Sequence, residues 1–318
     1  MIARRALPLL ALLPAAASAQ ERNWPSQPIR LIVPFAAGTS DTVARLVGLE
    51  MAKSLGVPVV VENRPGAGGN IGAEAVARAA PDGNTLVLGT ISSHAINPAI
   101  TPRMPYDNLR DFAPVTQLAA QPNAIVVPAA SAIRDLPGLV AATRTNRGMP
   151  FGTSGVGTSV HLAGALFAQM TGTEIEHIPY RGSAQVTTAL LSGELPLAFD
   201  NLSSVLPFAR EGRMRILGVT SRDRAAAVPE IPAVAEALPG FESLSWHGIF
   251  APARTPAPVV ARLQREAVAA LAMPLVAARF RELGITPVGS SPGEFAAFVA
   301  SETARWGAVA RAANIRLD

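Results

Sequence analysis

The chain has 318 residues, a formal charge of +4 from 27 Lys and Arg against 23 Asp and Glu, and no cysteine. That length suffices for two ordinary domains. The charge is too small for an electrostatic nucleic-acid footprint, and the missing cysteines exclude disulfides and thiol chemistry.

The first 19 residues read as an export signal. MIARR is a positive start, ALPLLALLPAAA an apolar stretch too short to span a bilayer, and ASA before Gln20 a small-residue cleavage site. Cleavage is expected after Ala19, in a chain destined for export from the cytoplasm. Beyond it, apolar β-like runs alternate with helical patterns. Strands are predicted at 28–34, 57–62, 84–90, 123–128, 174–178, 195–200, 214–220 and 243–251, with a short β-like MPF run at 149–151. Helices are predicted near 41–55, 70–80, 135–146, 158–171, 182–192 and 201–210. In the first of these, Val43, Leu46, Val47 and Met51 fall on one face. The alternation predicts α/β lobes with mostly parallel sheets.

From Pro256 the pattern becomes almost wholly helical, at 256–272, 274–283 and 292–312, broken by Pro274, Gly284 and the SSPG at 290–293. This C-terminal helical block is expected to pack back on the first lobe. The division that follows is a discontinuous lobe one, 24–124 plus 245–318, and a lobe two of 125–244.

Two turns concentrate glycine and hydroxyl residues: PFAAGTSD at 34–41 and FGTSGVGTSVH at 151–161. Each leads from a β-like run into a helix, whose first amides are unpaired and carry the positive end of the macrodipole. Such a turn suits an anion. In the first turn, Thr39 or Ser40 serves equally well as a plain helix cap. The second holds three glycines and four hydroxyl residues within 152–160, more than a cap requires. Asp200, in LAFDN, and GTISSH at 89–94 stand at strand ends, where ligands of open α/β sheets collect. For Asp200 a helix cap is an equal alternative.

Enzyme and cofactor signatures fail by small margins. GTSGV at 152–156 misses the nucleophile elbow by its last residue. GAGGNIG at 66–72 breaks the dinucleotide pattern at Ile71, and Lys53-Ser54 lacks the glycines of a phosphate loop. His94, His161, His177 and His247 show no metal-ligand spacing. No cofactor, metal or catalytic residue is expected.

The chain resembles the substrate-binding receptors of tripartite tricarboxylate transporters, the Bug family, from Trp24 to about Trp306. The most specific stretch is VVVENRPGAGGNIGAEAVARAAPDGNTLVLGT. WPSQPIRLIVPFAAGTSDTVAR precedes it, and GTSGVGTSVHLAGALF, HIPYRGSAQVTTALLSGELPLAFDN and WHGIFAPARTP follow in family order. The resemblance implies an α/β, two-lobed periplasmic binding protein of type II-like, Venus-flytrap form, closing on a small carboxylate. It implies that backbone amides, hydroxyls and bridging water hold one carboxylate group between two loops. The first loop would supply Phe35, Gly38, Thr39 and Asp41. The second would supply Thr153, Ser154, Gly157, Thr158 and Ser159, with His161 behind, while Ser92, Tyr180 and Asp200 would line the variable side. It also implies a monomer that delivers its ligand to large and small membrane transporter subunits. A carboxylate sensor for a signalling partner is the first alternative; a hydrolase using Ser154 with His161 is the second. Where the family commonly has PPGG, this chain has AAGT at 36–39, which bears on ligand identity more than on ligand class.

Overall fold

A computed structural model describes residues 24–317, so the expected export signal lies outside the described residues. Lobe one begins with β1 (Ile29–Val33), a nearly continuous buried apolar run, as a strand covered on both faces requires. It pairs in parallel with β2 (Val59–Asn63) and β3 (Thr85–Thr90). Between β1 and β2 runs α1 (Thr39–Leu55), which buries Val43, Val47, Met51 and Leu55 and stops at left-handed Gly56. Two short helices, α2 (Asn70–Ala77) and α3 (Asn97–Ile100), flank β3.

β4 (Phe112–Pro128) ties the molecule together. Its first part pairs antiparallel with β9 (Leu244–Pro252), ending at Pro122 opposite Leu244. From Asn123 onward it pairs instead with β7 (Leu197–Asn201) and β8 (Met214–Val219). One strand is therefore shared by the sheets of both lobes. Lobe two adds α4 (Leu136–Thr145), β5 (Met149–Thr153), α5 (Ser159–Thr171), β6 (Ile175–Pro179), α6 (Ser183–Ser192), α7 (Leu202–Arg210) and α8 (Val234–Ala237). β5 pairs in parallel with β6 and β7.

Mostly parallel sheets were expected; the sheets are mixed. β3–β9, β4–β9, β4–β7 and β4–β8 are all antiparallel, because the strands that cross between lobes return against their neighbours. The 123–128 strand proves to be only the end of β4. Pro114 and Pro122 each remove a ladder donor, which disguises the first part as loop. Register shifts between Pro114 and Thr116, and between Gln117 and Ala119, accommodate the irregularity.

The C-terminal block comprises α9 (Ala257–Leu271), α10 (Pro274–Leu283), a two-residue β10 (Thr286–Pro287) and α11 (Pro292–Ala312). α9 places Val259, Leu263 and Ala267 in one core cluster with β1 and α1. α11 places Phe295, Val299 and Trp306 in a second, with Ile96, Trp246 and Phe250. Glu302, almost fully buried, accepts hydrogen bonds from the Nε1 of both Trp246 (3.1 Å) and Trp306 (2.9 Å). A buried carboxylate is tolerable only with such partners. Lobe two has its own clusters, one on each face of its sheet.

Candidate ligand-binding cleft

A cleft of about 1060 Å³ opens between the lobes, and four helices begin on its wall. Thr39 and Ser40 of α1, Ser159 of α5, Ser183 and Ala184 of α6, and Asn201 with Ser204 at α7 all line it. α1 is capped by neither Thr39 nor Ser40. Its N-cap is Gly38, extended at φ 168°, and no side chain satisfies its first amides. α6 and α7 likewise lack a side-chain cap. Open helix starts leave unpaired N–H donors, so the cleft wall carries concentrated positive dipole ends.

Charged side chains reinforce that sign. Among the described residues, no Asp or Glu lines the cleft, and Arg181 and Arg213 supply its formal charges. The remaining wall combines Ser and Thr hydroxyls with Phe35, Tyr180, Leu191, Phe208 and Leu317.

The first loop is fixed from behind. Asn63 Nδ2 donates to the Phe35 carbonyl (3.0 Å), and the Phe35 ring packs on Gly69. A Cβ at Gly72 would stand 2.8 Å from Pro34 Cα and 2.9 Å from the Arg64 carbonyl, so only glycine lets these backbones meet. Thr39 Oγ1 lies 3.0 Å from Ser203 Oγ, a hydrogen bond from lobe one to lobe two. Ser40 Oγ meets His247 Nε2 at 3.0 Å. Burial pushes the His247 imidazole down to about 4, which keeps it neutral at pH 7.

In the second loop most hydroxyls are used within the protein. Thr158 caps α5 by accepting from the His161 amide (3.3 Å), and its own hydroxyl donates to the Gly155 carbonyl (2.7 Å). Thr153 Oγ1 lies 2.6 Å from His177 Nε2. Ser159 donates to Asn123 Oδ1 (3.3 Å). Asn123 in turn donates to Ser243, and Thr220 donates to the Ser243 carbonyl, so a buried polar network joins α5 to the point where β4 changes sheet. Three of the four hydroxyls, those of Thr153, Thr158 and Ser159, thus serve the loop's scaffold, and what remains for the cleft is backbone amide and the Ser154 hydroxyl.

Eight of the thirteen expected site residues line the cleft: Phe35, Gly38, Thr39, Ser92, Ser154, Thr158, Ser159 and Tyr180. The other five stand behind its wall. Asp41 accepts from Arg45 Nε (2.9 Å), whose guanidinium holds the carboxyl below its ordinary value. Thr153 and Asp200 are fully buried. Asp200 accepts from Ser183 Oγ (2.6 Å) and the Asn201 amide (2.8 Å), and burial raises its carboxyl to about 6. Gly157, at φ 70°, faces lobe one, where a Cβ would approach Ile100 Cδ1 to 2.5 Å. His161 accepts from the Gly157 amide (3.3 Å) and stacks on His177 at 3.7 Å.

Residues 43–315 match the tripartite tricarboxylate transporter family receptor, TctC. The chain belongs to that family. The receptor is 35% identical to Protein BugT of Bordetella pertussis over 306 residues, which covers 95% of this chain and 94% of that protein. It superposes on an R. palustris protein solved with adipate at a TM-score of 0.87, with 36% identity over 92% of this chain and 99% of the other. MatC from Rhodopseudomonas palustris, solved with bound malate, gives 0.83, with 33% identity over 90% of this chain and 99% of the other. The family is one of solute receptors rather than enzymes, these two neighbours were solved with bound solutes, and the receptor has the fold of a periplasmic binding protein.

The receptor's own geometry agrees with that class. The His161 ring is spent on the Gly157 amide and on stacking, and burial drives it down to about 3, so it forms no base for Ser154. Pro65, Gly66, Gly68 and Gly69 also line the cleft and were not among the expected site residues, because GAGG was weighed against the dinucleotide motif and as a mark of the family, not as a wall of the site. Their positive φ values, 136°, 63° and 96° for the three glycines, are the signal of a backbone bent toward a ligand or a close neighbour. Arg181, Arg213, Phe208 and His247 were missed as isolated residues that only the folding of distant segments brings together.

Proposed function

We propose that the receptor captures a small organic carboxylate between its lobes and delivers it to a membrane transporter of large and small subunits. The observation that carries this is the cleft's sign: helix starts left without side-chain caps, two arginines, and no acidic side chain among the described lining residues. A buried anion is costly unless several donors satisfy it, and these donors answer that demand. The proposed contacts are the amides around Gly38–Ser40 and 154–159, with Ser92 and Tyr180 facing the rest of the ligand. Adipate and malate in the neighbours support the class.

In this reading lobe one, 24–124 plus 245–318, and lobe two, 125–244, close about β4, and differential contacts with the ligand favour the closed form. The receptor works as a monomer in the periplasm after cleavage behind Ala19. Among the described residues, no helix is long and apolar enough to cross a membrane.

The test is a thermal-shift screen on receptor stripped of co-purified ligand. At a hundredfold excess over Kd, a bound ligand stabilises by about 2.7 kcal/mol, so carboxylates that fit should raise Tm by several degrees. A screen in which only neutral or cationic compounds stabilise would sink the proposal. Uptake that depends on both membrane subunits distinguishes delivery from sensing.

A further inference from the structure

The cleft continues beyond the helix starts. Along α6 its lining includes Ala184, Thr187 and Leu191; along α7, Asn201, Ser204 and Phe208. Residues three and four apart share one helix face, so one face of each helix forms a groove leading away from the anion-facing ends. At 1.5 Å per residue, Ser183 to Leu191 spans about 12 Å.

The groove's chemistry changes along that length. Hydroxyls dominate at the helix starts. Farther along, Leu191 and Phe208 are half-buried and pack on the lobe-two core beneath. At the far end the Arg213 guanidinium sits over the Phe208 ring, 5.5 Å from its centroid. Its ion-pair partner is Glu211, at 3.4 Å, and both side chains are about half exposed (52% and 57%). Exposed pairs of that kind hold their partners weakly. A carboxylate seated in the groove would meet the same guanidinium against an aromatic face, with water excluded on one side.

We propose that this groove is a second recognition subsite, in which Leu191 and Phe208 take the hydrocarbon body of an extended dicarboxylate and Arg213 pairs with its distal carboxylate. The inference rests on the carboxylate reading above and narrows it to ligands with two anionic ends separated by an apolar spacer.

Calorimetric titration of ligand-stripped receptor with octanedioate, octanoate and succinate tests it. Arg213→Gln should weaken octanedioate about tenfold or more, and leave octanoate and succinate within about twofold. Glu211→Gln, which frees the guanidinium, should tighten octanedioate alone; a purely structural role for Arg213 would move the three ligands together. Equal losses for octanedioate and octanoate in Arg213→Gln, or no loss for either, overturn the subsite. Wild-type receptor that binds succinate but not octanedioate overturns it while sparing the carboxylate reading, and failure to bind any of the three counts against both.

Discussion

Replacing Ser154 with Asp should weaken capture of an anionic ligand severely while leaving the fold intact. Ser154 lines the cleft, is only partly buried, and among the described residues its hydroxyl makes no hydrogen bond that the loop depends on. The substitution adds a negative charge to a wall that has none among its described residues. Like charges brought together across an interface cost several kcal/mol, so affinity should fall by about a hundredfold or more. Ser154→Asn, of similar size and uncharged, should bind within a few-fold of wild type. Calorimetric titration with the best ligand of the screen, beside far-UV circular dichroism, reads both quantities. Undiminished binding in the aspartate variant would mean that the ligand charge lies elsewhere.

Acidification from pH 7 to about 4.5 should destabilise the protein strongly. Burial pushes His94 and His161 down to about 3, and His177 and His247 down to about 4, from an ordinary 6.5. The unfolded chain takes up these protons as pH falls below about 6.5, and the folded chain refuses them. The stability they contribute is therefore complete above that pH and is lost as pH falls toward the folded values. Asp200 acts in the opposite sense: its raised carboxyl, about 6, takes a proton in the folded state first. One carboxyl opposes four imidazoles, so the net slope favours unfolding in acid. Summed over the sites, the loss between pH 7 and about 4.5 is on the order of several kcal/mol, a large share of the roughly 5–15 kcal/mol typical of a domain. Tm measured by circular dichroism should fall by more than about 10 °C across that interval, and His177→Asn should flatten the slope. A Tm independent of pH would show that the imidazoles are not held neutral by the fold.

Much of the local architecture was legible because it rests on neighbours in the chain. α10 and α11 were placed at 274–283 and 292–312, where they stand, since proline opens each and Gly284 closes the first. The first helix was predicted to begin at 41 and begins at Thr39, after a glycine that leaves the hydroxyls of Thr39 and Ser40 free for Ser203 and His247. No local rule reveals that, because both partners lie more than 160 positions away. The same limit explains Asp200, whose strand-end position was compatible with a place on the cleft. Its carboxyl is instead enclosed beneath Ser183 and Asn201, which occupy the surface in its place.

By itself, the sequence determined the alternation of strands and helices, the glycine-rich turns and the family, because periodicity, backbone preference and short motifs are properties of adjacent residues. Only the tertiary structure decided which turn residues face the cleft and which hold it up, that β4 is one strand serving two sheets, and that Arg213 ends a groove begun by Ser183. Those outcomes depend on pairing register and on packing between segments distant in the chain, which no local pattern encodes.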